Sequence, residues 1–220
     1  MNAPPPTIHI VDDHDSFRRA VSRMLQAAGF AVQGYASAAE FLLARGGERP
    51  GCILLDVQMP GLDGLALQTA LSEQEAPLPV VFVTGHGDIP MSVRAMKTGA
   101  VDFLTKPVKR ETLLRAIGAA LARDSEQRMA HEKSRRYRDA FESLTPRERE
   151  VFEQVTAGKL NKQIAAEIGA AERTVKAHRA NIMEKMQVQS LAELVHIAAL
   201  LNSETRSVQE SVPAPRVTHH

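Results

Sequence analysis

Five short, mostly apolar runs alternating with helical periodicity confine the first half of this chain to one class of fold. The runs are Ile8 to Val11, Ala31 to Tyr35, Cys52 to Asp56, Val80 to Thr84 and Val101 to Leu104. Each is the length of a strand rather than a helix. Helical spacing fits Phe17 to Ala28, Ala38 to Ala44, Gly64 to Gln74, Ile89 to Thr98 and a segment after Lys109. Such alternation predicts an α/β domain, a doubly wound parallel sheet of five strands with helices on both faces. Pro50-Gly51, Pro60-Gly61 and Pro77 to Pro79 fall where elements begin or end, as proline and glycine demand.

After Leu121 the apolar spacing lapses. Arg123 to Arg138 is almost wholly polar and predicts a solvated helical connector; its cations Lys133, Arg135, Arg136 and Arg138 are interleaved with Glu126, Glu132 and Asp139. From Leu144 the pattern is helical throughout. Thr145, Pro146 and Glu148 form a helix start, with Thr as N-cap, Pro at N1 and Glu closing a capping box. Gly158 and Gly169 stop two short helices. A longer helix from Glu172 to Met186 and another from Ser190 to Leu201 complete an all-α unit of four helices. The domain reading is therefore 1–122 for the α/β domain, 123–141 for the connector and 142–202 for the helical unit. Residues 203–220 are expected to be a poorly ordered tail.

Composition narrows the classes of function. The formal net charge is +1, from 27 Lys and Arg against 26 Asp and Glu, so any nucleic-acid surface has to be local. Cys52 is the only cysteine, which excludes an intramolecular disulfide and a cysteine-built zinc site. The apolar stretches are far shorter than the roughly 18 residues of a membrane span, and Met1 to Pro6 has no signal-peptide character. The expectation is a cytoplasmic protein with no membrane partner.

In a parallel α/β sheet the functional atoms gather at the carboxyl ends of strands. Asp12 and Asp13 end the first run, Asp56 the third and Thr84 the fourth, while Lys106 follows the fifth. Three crowded carboxylates repel, and oxygen ligands with open water positions suit Mg²⁺. Lys106 adds a positive charge, so the set can bind Mg²⁺ and a phosphoryl group together. A lone Asp at a strand end is commonly a turn residue; five matched positions are not explained that way.

The segments Val11-Asp12-Asp13, Asp56 to Gly64 (DVQMPGLDG), Val83-Thr84-Gly85 and Phe103-Leu104-Thr105-Lys106-Pro107 resemble, in order, the signature of a two-component receiver domain, a flavodoxin-like fold. The resemblance implies that Asp56 is the phosphoacceptor. Asp13, Asp56 and the backbone carbonyl of Gln58 would hold Mg²⁺, with Asp12 acting through water. Thr84 and Lys106 would meet the phosphoryl group, Phe103 would be the aromatic switch, and Lys106-Pro107 would be cis. Taken as a single residue, Phe103 is also readable as a core aromatic. His86 either tunes dephosphorylation or is an exposed loop histidine. Cys52 and Met59 are read as packing.

The helical unit carries a second pattern: Leu144 to Val151 (LTPREREV), Asn161 to Ala165 (NKQIA), Thr174 to Arg179 (TVKAHR) and Asn181 to Met186 (NIMEKM). This set resembles the LuxR-type helix-turn-helix, and its pairing with a receiver resembles the FixJ/NarL group of response regulators. Ile164, Ala165 and Ile168 supply the apolar face of a scaffold helix, and Gly169 allows the turn. Val175, Ile182 and Met186 fall on one face of the next helix, leaving its cations for the outer surface. Asn161, Lys162, Arg173, Thr174, Lys176, His178 and Arg179 are the candidate DNA contacts. Lys185 is read as a solvated cation. Ala171 stands where the family commonly has a capping Ser, a loss worth about 0.5 to 2 kcal/mol of helix stability.

The resemblance implies a transcriptional activator phosphorylated by a cognate sensor histidine kinase. Its partners would be promoter DNA and RNA polymerase, and it would form a homodimer when phosphorylated. Release of an inhibitory receiver contact and dimerisation alone both stay open as the activating step. A receiver gating a catalytic domain is disfavoured, because the residues after Arg138 carry no nucleophile, metal or nucleotide motif. A phospho-signalling scaffold whose helical unit binds protein is the other rival.

Overall fold

The computed structural model describes residues 5–44, 49–72, 77–85 and 88–210, with the side chains of 203–210 left aside. His86 lies outside the described residues. The chain divides into two compact units, Met1–Met129 and Ala130–His220.

In the first unit the order is β1 (Thr7–Val11), α1 (Asp15–Ala27), β2 (Ala31–Tyr35), α2 (Ala38–Ala44), β3 (Gly51–Leu55), α3 (Gly64–Ser72), β4 (Val80–Thr84), α4 (Ile89–Lys97), β5 (Asp102–Thr105) and the start of α5 (Arg110–Glu142), whose last turns belong to the second unit. The strands form one parallel sheet in the order β2-β1-β3-β4-β5. Strand alternation sorts the core into two layers. Ile8, Ile10, Cys52, Leu54, Val81 and Val83 pack with Val21 and Leu25 of α1 and Leu113 and Ile117 of α5. Val11, Ile53, Leu55, Val80 and Phe82 pack on the opposite face with Phe41, Leu67, Leu71 and Ala95. His9 and Tyr35 share that second face, with His9 Nδ1 3.1 Å from the Tyr35 hydroxyl. The chain leaves β1 for β2 on one side and returns past β1 to β3 on the other. Loops after β1 and β3 therefore diverge and open a crevice at the carboxyl edge, where ligands of such sheets bind.

Element limits differ from the sequence reading by a residue or two, except at the two longest helices. β3 ends at Leu55, so Asp56 is the first residue beyond it. Helix α5 runs unbroken over 33 residues, and the stretch read as a solvated connector is not wholly solvated. Asp124 is buried; it accepts from the Gly51 amide at 3.0 Å and pairs with Arg128 Nε at 2.9 Å. Arg128 also donates to the Arg49 carbonyl at 2.6 Å. Burial, with the Asp124 charge added, pushes the neighbouring Cys52 thiol up to about 12, consistent with a packing role.

The second unit contains α6 (Pro146–Thr156), α7 (Asn161–Glu167), α8 (Glu172–Lys185) and α9 (Leu191–Glu210). Its core gathers Val151, Phe152, Val155, Ile164, Val175, Ile182, Met186, Leu194 and Ile197, with Tyr137 and Phe141 of α5 packed against it. Helix α9 continues past the expected end near Leu201, because no glycine or proline interrupts the chain before Pro213. The part of the expected poorly ordered tail from 203 to 210 thus has helical backbone, and 211–220 lie outside the described residues. The capping box at Thr145 and Glu148 is present. Gly158 and Gly169 follow α6 and α7 at φ +83° and +64°, the left-handed conformation that ends helices and favours glycine.

Candidate functional site

The crevice after β1 and β3 collects the residues expected there. Asp12 and Asp56 are buried, Asp13 is half-buried, and Lys106 reaches across from the loop after β5. Its Nζ donates to Asp12 Oδ2 at 2.5 Å and to Asp56 Oδ2 at 2.9 Å. Burial pulls the Lys106 ammonium down, but the hydrogen bonds to Asp12 and Asp56 outweigh it and leave the pKa raised, so the cation persists at neutral pH. The Lys106-Pro107 peptide is cis, and Thr84 O accepts from the Lys106 amide at 2.8 Å. Thr84 is buried and lines the same cleft of about 490 Å³, as do Asp13, Asp56, Gln58 and Lys106.

Local sequence explains how the acceptor loop keeps its shape. The Gly64 amide donates to the Val57 carbonyl at 2.9 Å, closing the Asp56 to Gly64 loop onto the start of α3. A Cβ on Gly64 would lie 2.1 Å from the Asp56 carbonyl oxygen, so only glycine permits this approach. The Gln58 amide lies 3.4 Å from Asp56 Oδ1, a weak contact.

Phe103 is not in the cleft. It is half-buried beside the second core layer, with its ring centroid 5.9 Å from that of Phe82. Sequence reasoning misses His14 and Phe17, which line the cleft, and Arg18, which holds the Asp12 backbone from outside it. His14 Nδ1 lies 2.8 Å from Asp13 Oδ1. Phe17 lies under Lys106 Nζ, 4.2 Å from the ring centroid. Arg18 donates to the Asp12 carbonyl at 2.7 Å. The place of His14 directly after Asp12-Asp13 is a signal that could have found it; Phe17 and Arg18 carry none beyond helical spacing.

The donor set fits a divalent cation. One ligand atom each from Asp12, Asp13, His14 and Asp56 lie within 4.8 Å of one another. Asp13 Oδ1 is buried, and its close polar neighbour is the His14 imidazole at 2.8 Å, with no well-aligned hydrogen bond directed to it among the described residues. Three carboxylates facing one ammonium leave two negative charges to be neutralised before His14 is counted.

In the second unit the outer side of α8 carries the cations. Arg173 and Lys176 are exposed, Thr174, His178 and Arg179 are half-buried, and Lys162 is exposed on α7. Arg179 donates to Asn161 Oδ1 at 2.9 Å, which joins two of the candidate DNA contacts across α7 and α8. Lys176 is 3.8 Å from Glu172. Lys185, read as solvated, instead donates to buried Glu148 at 2.6 Å. That bond, together with the Thr145 amide, holds the Glu148 carboxyl at about 2, well below the usual range. Ala171 gives no side-chain cap to α8, as expected.

Comparison with known proteins agrees with this geometry. Residues 8–118 match the response regulator receiver domain, and residues 142–198 match the bacterial regulatory proteins of the luxR family. Nodulation protein W of Bradyrhizobium diazoefficiens is 42% identical over 204 residues, 93% of this chain and 90% of that protein. The transcriptional regulatory protein FixJ of Azorhizobium caulinodans is 42% identical over 193 residues, 88% and 92% of the two chains. Among solved structures, the response regulator StyR superposes with a TM-score of 0.77 at 46% identity, covering 89% of this chain and 99% of that one. Full-length FixJ from B. japonicum gives 0.55 at 39% identity, covering 92% and 99%. With both domain families matched in order and relatives aligned along most of their length, the chain belongs to the two-component response regulators of FixJ/NarL type, transcriptional regulators that join a receiver to a LuxR-type DNA-binding domain.

Proposed function

We propose that Asp56 is the phosphoacceptor and that its modification raises the affinity of the helical unit for promoter DNA. The observation that carries the reading is the pair of bonds from Lys106 to Asp12 and Asp56: a buried carboxylate is held beside a fixed ammonium and two further carboxylates. A bound Mg²⁺ would neutralise charge on the transferring phosphoryl group. Asp13, Asp56 and the Gln58 carbonyl are its proposed ligands, with Asp12 acting through water. The Asp56 carboxylate attacks phosphorus while the bond to the donor breaks. Lys106 exchanges its bond with Asp56 for one with a phosphoryl oxygen, and Thr84 hydrogen-bonds another. Movement of Thr84 leaves room into which Phe103 turns, altering the surface between Ile89 and Leu121.

The partners follow. A sensor histidine kinase supplies the phosphoryl group. Asn161, Lys162, Arg173, Thr174, Lys176, His178 and Arg179 meet promoter DNA, and receiver dimerisation tethers two such units. RNA polymerase recruitment and transcriptional activation complete the scheme, which places the protein in the cytoplasm; no helix among the described residues is long and apolar enough to cross a membrane. The direct test is labelling of the full chain by acetyl phosphate with Mg²⁺. Asp56→Asn is expected to abolish it, as is excess chelator. Full labelling of Asp56→Asn would overturn the assignment.

A further inference from the structure

His14 stands in the cleft, and phosphoryl transfer as described leaves it without a task. It follows the Asp12-Asp13 pair directly, and its backbone amide donates to Asp12 Oδ1 at 2.8 Å, which fixes the loop beside the cluster. Its imidazole Nδ1 lies 2.8 Å from Asp13 Oδ1 and 3.5 Å from Asp12 Oδ1, with 66% of the side chain exposed. The ring is therefore at the rim of the cleft, with room to turn. One ligand atom from each of Asp12, Asp13, His14 and Asp56 lies within 4.8 Å of the others, a spread that one ion with bonds of about 2.0 to 2.2 Å can nearly span. Oxygen ligands alone suit Mg²⁺ and Mn²⁺ alike, whereas an added imidazole nitrogen, a poor ligand for Mg²⁺, raises the relative affinity of first-row divalent ions, least for Mn²⁺ and more for those after it.

We propose that His14 is a nitrogen ligand of the receiver's cation site, so that this chain binds Mn²⁺ and later first-row divalent ions in preference to Mg²⁺. The proposal rests on the reading of Asp13 and Asp56 as a divalent-cation site. It also differs from the simplest alternative, in which His14 only neutralises Asp13. A neutralising group would oppose every divalent cation alike, while a ligand discriminates among them.

Calorimetric titration of the full, unphosphorylated chain with MgCl₂ and, separately, MnCl₂ decides between them, using wild type, His14→Ala and Asp13→Asn. Pulsed electron paramagnetic resonance of the Mn²⁺ complexes accompanies it. In His14→Ala, Mn²⁺ affinity is expected to fall by roughly tenfold or more, the scale at which even outer-shell partners of metal sites act. Mg²⁺ affinity stays unchanged, and a nitrogen coupling present in wild type disappears. Mn²⁺ and Mg²⁺ affinities that change by the same factor in either direction, or wild-type Mn²⁺ without nitrogen coupling, would overturn the proposal. If wild type binds neither ion, or Asp13→Asn binds both as tightly as wild type, the cation-site reading itself is wrong and the proposal falls with it. The exposure of His14 makes the alanine variant safe for the fold, which circular dichroism checks.

Discussion

At the scale of single residues, two contacts turn motif letters into physical constraints. Gly64 reads in sequence as the start of a helix, yet its missing Cβ is what lets α3 approach the Asp56 carbonyl. Gly64→Ala must push that backbone aside, so it is expected to cost about 1 to 3 kcal/mol, as overpacking does, and to slow acetyl phosphate labelling of Asp56. Thermal melts and labelling rates measure the two effects. Glu148 carries the second constraint. Its folded pKa, about 2, lies below the unfolded value of 4.5, so the Lys185 pair contributes stability above pH 4.5 that is lost as pH falls toward 2. Wild type should exceed Glu148→Gln by about 1.5 to 3 kcal/mol near neutral pH, the scale of charge-assisted hydrogen bonds, and the two should converge near pH 2. Denaturation followed at a series of pH values reads this directly. Asp12, Asp13, Asp56, Thr84 and Lys106 are legible in the sequence because strand ends of a parallel sheet converge. The Lys185 to Glu148 bond is not, because it joins residues 37 apart on helices whose packing no local pattern encodes.

At the scale of elements, periodicity places every strand and the cores of the helices, since burial on both sheet faces leaves a pattern in the sequence. Helix α5 shows where that signal ends. Its polar middle reads as a solvated connector, while its anchor is Asp124 bonded to the Gly51 amide 73 residues away. Such a bond depends on the finished sheet and has no local trace. Helix α8 offers a cleaner local case. Its N-cap, Ala171, makes no side-chain hydrogen bond. Ala171→Ser is expected to stabilise the helical unit by about 0.5 to 2 kcal/mol, measured as a raised melting temperature; no gain would mean that Glu172 already satisfies that helix end. The cations of α8 also predict a salt signature. If Arg173, Lys176 and Arg179 neutralise phosphates, the log–log slope of DNA affinity against salt loses about 0.9 for each contact removed. The triple alanine variant should therefore have a shallower slope by more than two. Equal slopes for variant and wild type would favour a protein-binding role for this surface.

For the whole molecule, two modules share one chain: a receiver whose acidic cleft is the proposed phosphoacceptor site and a helical unit of the DNA-binding luxR family. The net charge of +1 gives no hint of the second, because the cations of α8 are offset by acids elsewhere. The order of motifs carries that reading. Two DNA-binding units joined through paired receivers would raise avidity by roughly 10² to 10⁴ without a new contact to DNA. Such a gain belongs to sites with two half-sites about 34 to 36 Å apart, one helical turn. The measurement that tests the link most directly is a gel shift on fragments of the source genome, with the full chain as wild type and as Asp56→Asn, each with and without acetyl phosphate and Mg²⁺. The account predicts that phosphodonor tightens wild-type binding to a small set of fragments by one or more orders of magnitude and leaves Asp56→Asn unchanged. Equal tightening of both proteins, or none in either, would contradict it.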